Sequence, residues 1–329
     1  MRFFEQQEQA RAQTWRLLIL FALTVLGLVV AVDLALALTW RVLSFGHAGY
    51  PAHFFAVNTV MTLLFVLGGW WVETSSLDDG GEKLARRVGA REARPRLHEA
   101  EQRFCNIVEE LAIAASMNPP TAMVLDRLDD INAFACGWDE DDAVVAVTNG
   151  ALEQLTRDEL MGLVAHEFSH IREGDTRLNM RLAGMVFGLE MVFNLGKRMC
   201  EPDEDDNRSF LAVPGFAIKA AGSLGWLAGR VLKAAVSRQR EFLADARAVQ
   251  FTRSKDGLGG VLRKVAGQEK AAGVMRQMHP SVQHMLLVNA NRDTRWFDTH
   301  PPLAERIRRI YGRPMPALQA EDRRPDAIF

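Results

Sequence analysis

Apolar and polar positions divide this chain unevenly. Leu17–Leu38 is a 22-residue apolar run broken only by Thr24 and Asp33, and Phe54–Val72 is a second run of 19. Each is long enough to cross about 30 Å of hydrocarbon. Residues 73–96 are polar, contain Asp79-Gly80-Gly81, and read as a juxtamembrane linker. From Leu97 to Met117, Phe104, Ile107, Val108, Leu111 and Ile113 recur at helical spacing, and Pro119-Pro120 ends the pattern. Short β-type runs follow at Met123–Leu125, Asn132–Ala135 and Ala143–Thr148. Thr156-Arg157-Asp158-Glu159 then has the form of a capping box. Leu160, Leu163, Val164 and Phe168 continue a helix to Glu173, with Gly174 as its stop.

Two further apolar stretches are less clean. Leu182–Gly196 contains Glu190, and Phe210–Leu232 carries Lys219 and Arg230, with acidic Glu201–Asp206 between them. Pattern alone leaves three placements open: a second membrane hairpin, a hairpin on the bilayer, or one inside the downstream domain. Length argues against the first stretch spanning a bilayer by itself.

The predicted helix from Arg157 carries His166-Glu167-Phe168-Ser169-His170 in its last turns. Residues i and i+4 lie about 40° apart around a helix, so both imidazoles leave one face. Two imidazoles at this spacing hold a metal, and the neighbouring carboxylate can take the proton of a water attacking a peptide carbonyl. A third ligand is needed. The metzincin spacing fails, because Glu173 and Thr176 stand where its Gly and third His belong. Downstream, Glu241 and Asp245 share a helix face within Arg238–Asp245. That pair suits a gluzincin site, with Glu241 as the third ligand and Asp245 orienting a ligand histidine. The alternative is that both acids pair with Arg238, Arg240 or Arg247 on a solvated helix.

A formal charge of −2 over 329 residues argues against a nucleic-acid partner. Cys105, Cys136 and Cys200 are odd in number and lack metal spacing, which suits reduced thiols. Arg2, Arg11 and Arg16 precede the first apolar run, Arg41 alone lies in the connecting loop, and Lys83, Arg86, Arg87, Arg91, Arg94 and Arg96 follow the second. The positive-inside rule places both ends of this hairpin, and the domain after it, in the cytoplasm. Asp33 costs about 2.5–3.5 kcal/mol if centred in the bilayer, and either snorkels or pairs with another helix. Asn132–Ala135 is the candidate sheet edge for adding an extended substrate, or an ordinary edge strand.

Taken together, His166–His170, Glu241-x-x-Ala244-Asp245, Asn132-Ala133-Phe134-Ala135 and Thr299-His300-Pro301-Pro302-Leu303-Ala304-Glu305-Arg306 resemble the HtpX group of membrane metalloproteases, relatives of the CAAX prenyl proteases. The resemblance covers the whole chain. It implies a zinc-dependent endopeptidase facing the cytoplasm and acting in membrane-protein quality control. It also implies that Asn132 and His300 lie near the tetrahedral intermediate, with His300 donating to the oxyanion, and that Arg306 braces or binds at the site. Neither residues nor resemblance give Cys136 a role.

The expected fold is α+β and mostly helical: a zincin-like (gluzincin) domain with a small sheet on an N-terminal transmembrane hairpin. The expected division is an anchor over 1–72 with spans at about 17–38 and 54–72, a linker over 73–96, and a protease domain over 97–329 with a hydrophobic hairpin insertion at about 182–232. The expected site is one Zn²⁺ on His166, His170 and Glu241, with Glu167 and His300 catalytic and Asp245 behind the ligands. Asn132, Ala133, Phe134, Ala135 and Arg306 are the expected substrate contacts. The expected partners are polypeptides, chiefly membrane proteins, and the lipid bilayer of a bacterial-type inner membrane. A CAAX-type processing peptidase and an inactive zinc-binding membrane scaffold are the alternatives.

Overall fold

The computed structural model describes residues 2–202, 211–271 and 301–318. The chain divides into two compact units, one of residues 1–78 and 181–232, the other of 79–180 and 233 onward.

In the first unit, α1 (Arg2–Leu43) and α2 (Phe54–Leu77) contain candidate spans at Leu17–Leu43 and Phe54–Leu77. On α1, Phe21, Val25, Leu28 and Val32 are buried at helical spacing, while Ile19, Leu23, Leu26, Val30, Leu34 and Leu38 are exposed. A helix apolar on both its packed and its open face suits a lipid surround rather than water. Thr59 Oγ1 on α2 donates to Asp33 Oδ2 on α1 at 2.9 Å, so Asp33 pairs with the neighbouring helix. The unit also holds most of α7 (Asp175–Cys200) and the first half of α8 (Ala212–Thr252). Gly188 of α7 lies where a Cβ would come within 2.4 Å of the Val66 carbonyl oxygen on α2, so only glycine permits this approach.

The second unit begins inside the expected linker. Residues 79–96 carry α3 (Gly81–Arg87) and the short strand β1 (Arg91–Glu92). Polarity suggested a tether, but Leu84 and Ala85 are buried, and Arg91 bonds both Glu101 and Asp126. Next come α4 (Glu99–Ala115), β2 (Thr121–Leu125), β3 (Ala133–Cys136) and β4 (Val144–Thr148). The sheet order is β1-β2-β4-β3, with β2 and β4 parallel and the outer pairs antiparallel. Phe134 opposes Ala146, and β3 is the last strand on its side. After α5 (Asn149–Gln154) runs α6 (Arg157–Arg172), then the second half of α8, α9 (Asp256–Ala271) and α10 (Leu303–Tyr311).

The capping box forms as its sequence predicts: Glu159 N donates to Thr156 Oγ1, and Thr156 N donates to Glu159 Oε2. Leu160, Leu163, Val164 and Phe168 are fully buried in one core with residues of α4, the sheet, α9 and α10. Gly174, in the left-handed region at φ 72°, ends the turn after α6. Helices α6 and α9 approach closely at Gly162, where an added Cβ would lie 2.3 Å from the Leu258 amide nitrogen. Because the obstacle is backbone, Gly162→Val should destabilise the protein by about 1–3 kcal/mol. A thermal unfolding midpoint equal to that of the wild type would show that this contact does not constrain α6.

Candidate metal centre

The site is assembled on α6, a helix held by its cap at one end and its core contacts along its length. His166 and His170 leave one face, with ring centroids 4.8 Å apart and planes nearly perpendicular. Their Nε2 atoms lie 3.2 Å from each other. Glu241 comes from α8, its Oε2 3.6 Å from His166 Nε2 and its Oε1 3.5 Å from His170 Nε2. Taking one ligand atom from each residue, all lie within 4.8 Å of one another. His166, Glu167 and Glu241 are buried.

Both imidazoles have a carboxylate behind them. Asp245 Oδ1 is 3.1 Å from His166 Nδ1, and Asp175 Oδ2 is 2.8 Å from His170 Nδ1. His170 Nδ1 is within hydrogen-bonding distance of Asp175, which turns its Nε2 toward His166 Nε2 and Glu241; Asp245 stands in the corresponding place behind His166. Two imidazole nitrogens and a carboxylate therefore converge on one point, an arrangement that favours a cation between them.

The spacing fits a metal. Ligands about 2.0–2.1 Å from a tetrahedral zinc stand roughly 3.3–3.4 Å apart, close to the separations found. Charge agrees. Among these described side chains, Glu167, Asp175, Glu241 and Asp245 supply four carboxylates against two guanidiniums, Arg240 and Arg306, leaving a formal −2. A divalent cation neutralises that. Without metal, burial opposes a charge on His166, but Asp245 and Glu241 outweigh it and push its pKa up to about 9. A proton thus takes part of the cation's place. Burial and the neighbouring His166 move His170 the other way, below its ordinary value.

Arg306 on α10 departs from the sequence expectation of a substrate contact. It is fully buried, with Nε and Nη2 on the two oxygens of Asp245 at 2.9 and 2.7 Å and Nη1 3.2 Å from Glu241 Oε2. This position braces Glu241, the candidate third ligand. Burial disfavours the guanidinium charge, yet Asp245 and Glu241 more than offset that and hold its pKa above the ordinary range. Burial raises the Asp245 carboxyl, but Arg306 and His166 reverse the shift, so it sits below its usual range.

Glu241 and Asp245 do not lie on a solvated helix. Arg240 instead reaches Asp175, and Arg247 pairs with Glu173 at 2.6 Å. Asp175 and Arg240 were not anticipated from sequence; the available signal was an acid just past the Gly174 stop, which pattern alone marks only as a helix start. Asn132 donates its backbone N–H to Thr148 Oγ1, and its Oδ1 accepts from the Ala133 amide. All four β3 residues are buried. Cys136 Sγ lies 3.3 Å from the Gly81 carbonyl, and burial raises its pKa out of the reactive range. His300 lies outside the described residues.

Residues 98–313 match the profile of Peptidase family M48. The chain belongs to that family. A Protease HtpX homolog of Ligilactobacillus salivarius is 36% identical over 214 residues, covering 62% of this chain and 71% of the relative. Another Protease HtpX homolog, of Dictyoglomus thermophilum, is 30% identical over 317 residues, covering 94% of each. A crystal structure of S. mikatae Ste24p aligns with 89% of this chain and 65% of its own at a TM-score of 0.41 and 17% identity. The resemblance read from the motifs therefore holds, as does the mostly helical α+β fold with a small sheet and two apolar N-terminal helices. Membership makes the chain a metallopeptidase and implies a metal ion.

Two substitutions probe the centre. Glu241→Ala should leave purified protein without stoichiometric divalent metal; close to one ion per chain would place the third ligand elsewhere. Arg306→Met strands two buried carboxylates and should cost about 3–5 kcal/mol of stability. An unchanged unfolding midpoint for the metal-free protein would refute the bracing role.

Proposed function

We propose that this chain is a membrane-anchored zinc endopeptidase that cleaves damaged or misfolded membrane proteins at the cytoplasmic face. The convergence of His166, His170 and Glu241 on one point carries this reading. Zinc bound there would supply Lewis-acid polarisation of the scissile carbonyl and a water acidic enough to attack at neutral pH. Glu167, next to His166 on α6, accepts the proton of the attacking water on its carboxylate and passes it to the leaving amine. Asp245 directs the His166 lone pair, and Arg306 holds Asp245 and Glu241. His300 is assigned as donor to the developing oxyanion on the sequence resemblance alone.

An extended substrate would add to the outer edge of β3, where backbone groups give affinity with little sequence choice. The position of β3 as a terminal strand packed against α6 supports this. Because β3 is buried, that edge must be uncovered before a substrate pairs with it.

The basic flanks of α1 and α2 support a cytoplasmic site. We further assign the α7–α8 hairpin as a second membrane hairpin. Exposed Val213, Phe216, Leu224, Leu227 and Val231 form an apolar stripe along α8. At 1.5 Å per residue the stripe is about 27 Å long, close to the thickness of the hydrocarbon layer. The α7 residues between Leu182 and Gly196 are mostly buried, and Glu190 is half-buried.

Glu167→Gln should lower cleavage of an unfolded reporter in detergent by about 10²–10⁴-fold with metal content unchanged. Full activity would exclude Glu167 as the base, and cleavage insensitive to chelator would exclude the metal. For topology, Glu201→Cys, in a chain whose own cysteines are replaced, should react with an impermeant thiol reagent from the outer face. Reaction only from the cytoplasmic face would leave two spans.

A further inference from the structure

We propose that Asp175, held by Arg240, is the positioning residue that fixes His170 as a metal ligand. The inference rests on the reading of His170 as a ligand, and it concerns a side chain that neither touches the metal nor the substrate. Asp175 is the first residue of α7, five positions after His170. Between them the left-handed turn at Gly174 returns the chain toward α6.

An acid at a helix start is ordinarily explained by the helix dipole alone. Asp175 does something more specific. It is buried, and each carboxylate oxygen has its own partner: Oδ2 stands 2.8 Å from His170 Nδ1, while Oδ1 accepts from Arg240 Nη1. A neutral imidazole that donates Nδ1–H keeps its lone pair on Nε2, the atom facing His166 and Glu241. The carboxylate thereby selects the tautomer and stops the ring from rotating, and Arg240 stops the carboxylate from rotating in turn.

This arm repeats the arrangement on the other histidine. His166, Asp245 and Arg306 form one series of imidazole, carboxylate and guanidinium; His170, Asp175 and Arg240 form the second. The first recruits α10, the second α7, and both run through α8. Arg240 directly precedes Glu241, so one peptide of α8 supplies both the third ligand and the group that secures the second.

Zinc affinity of the purified full-length chain, measured by competition with a fluorescent chelator, tests the assignment. Asp175→Ala should weaken binding about 10–100-fold. Asp175→Asn, which keeps an acceptor oxygen but not the charge, should lose less. Arg240→Ala should weaken zinc binding and Arg240→Lys should restore most of the loss. Glu173→Gln, which breaks the neighbouring pair with Arg247, should stay within about twofold of the wild type, because it touches no ligand. The visible spectrum of the cobalt-substituted protein should change in Asp175→Ala, a signature that loss of stability alone does not produce. Unchanged affinity and spectrum in folded Asp175→Ala or Asp175→Asn would overturn the proposal, as would an equal loss in Glu173→Gln. Failure of the metal-site reading looks different: the wild type itself would then bind no zinc.

Discussion

Two imidazoles and a carboxylate meeting at one buried point need positive charge among or behind them. His166 Nε2, His170 Nε2 and the Glu241 carboxylate stand 3.2–3.6 Å from one another, and water is largely shut out. Desolvating such a set costs several kcal/mol per charge, and mutual attraction within the protein recovers this only with close partners. The surrounding structure supplies them. Asp175 and Asp245 take the outward imidazole protons; Arg240 and Arg306 neutralise those carboxylates. What remains is a deficit of two positive charges at the centre, the complement of a divalent ion. The preference for metal is therefore a property of the whole buried cluster.

The histidine pair was legible because its spacing is local. A capping box, a helical apolar pattern and two histidines one turn apart specify both the helix and the face that binds. Glu241 and Asp245 were legible for the same reason, being i and i+4 on another helix. Residues whose function depends on tertiary contact were not. Asp175 reads as a helix start until its distance to His170 is known, and Arg240 reads as one more cation in a basic stretch. Arg306 was recognised as part of the site, as a brace or as a substrate contact, and only its burial against Asp245 and Glu241 separates the two, because sequence cannot tell a guanidinium facing substrate from one buried behind a ligand. The stretch 73–96 failed on composition. Its polarity hid Leu84 and Ala85, two buried positions that suffice to anchor a short helix.

The membrane unit follows a different rule. Between apolar helices in lipid the hydrophobic effect contributes little, so close packing and interhelical hydrogen bonds decide the contacts. Gly188 at the Val66 carbonyl and the Thr59–Asp33 bond are examples of each. Hydropathy identified α1 and α2 readily because it measures a helix's fitness for lipid contact, and both carry an exposed apolar face.

A metal centre tolerates ligand displacements of only about 0.5 Å, so the helix carrying the two candidate histidines must be immobile to serve one. Helix α6 is fixed at both ends by contacts unrelated to the metal. At its start, Glu159 closes the capping box and also receives buried Lys264 of α9 at 2.7 Å, while Gly162 lets the α9 backbone come close. At its end, Arg172 reaches back to the Ala115 carbonyl that terminates α4. Between these anchors the apolar face is sealed into the core, leaving the histidine face no freedom to rotate or slide. Glu241 has no such local frame, since it lies partway along a 41-residue helix. Its position is instead secured from the side, by Arg306 on its carboxylate and by Arg240 one residue earlier. The rigid half of the site is built by packing and the long-range half by ion pairs. That division accounts for why the residues converging on the centre were readable from the chain, while Asp175 and Arg240, which act through tertiary ion pairs, were readable only from the fold.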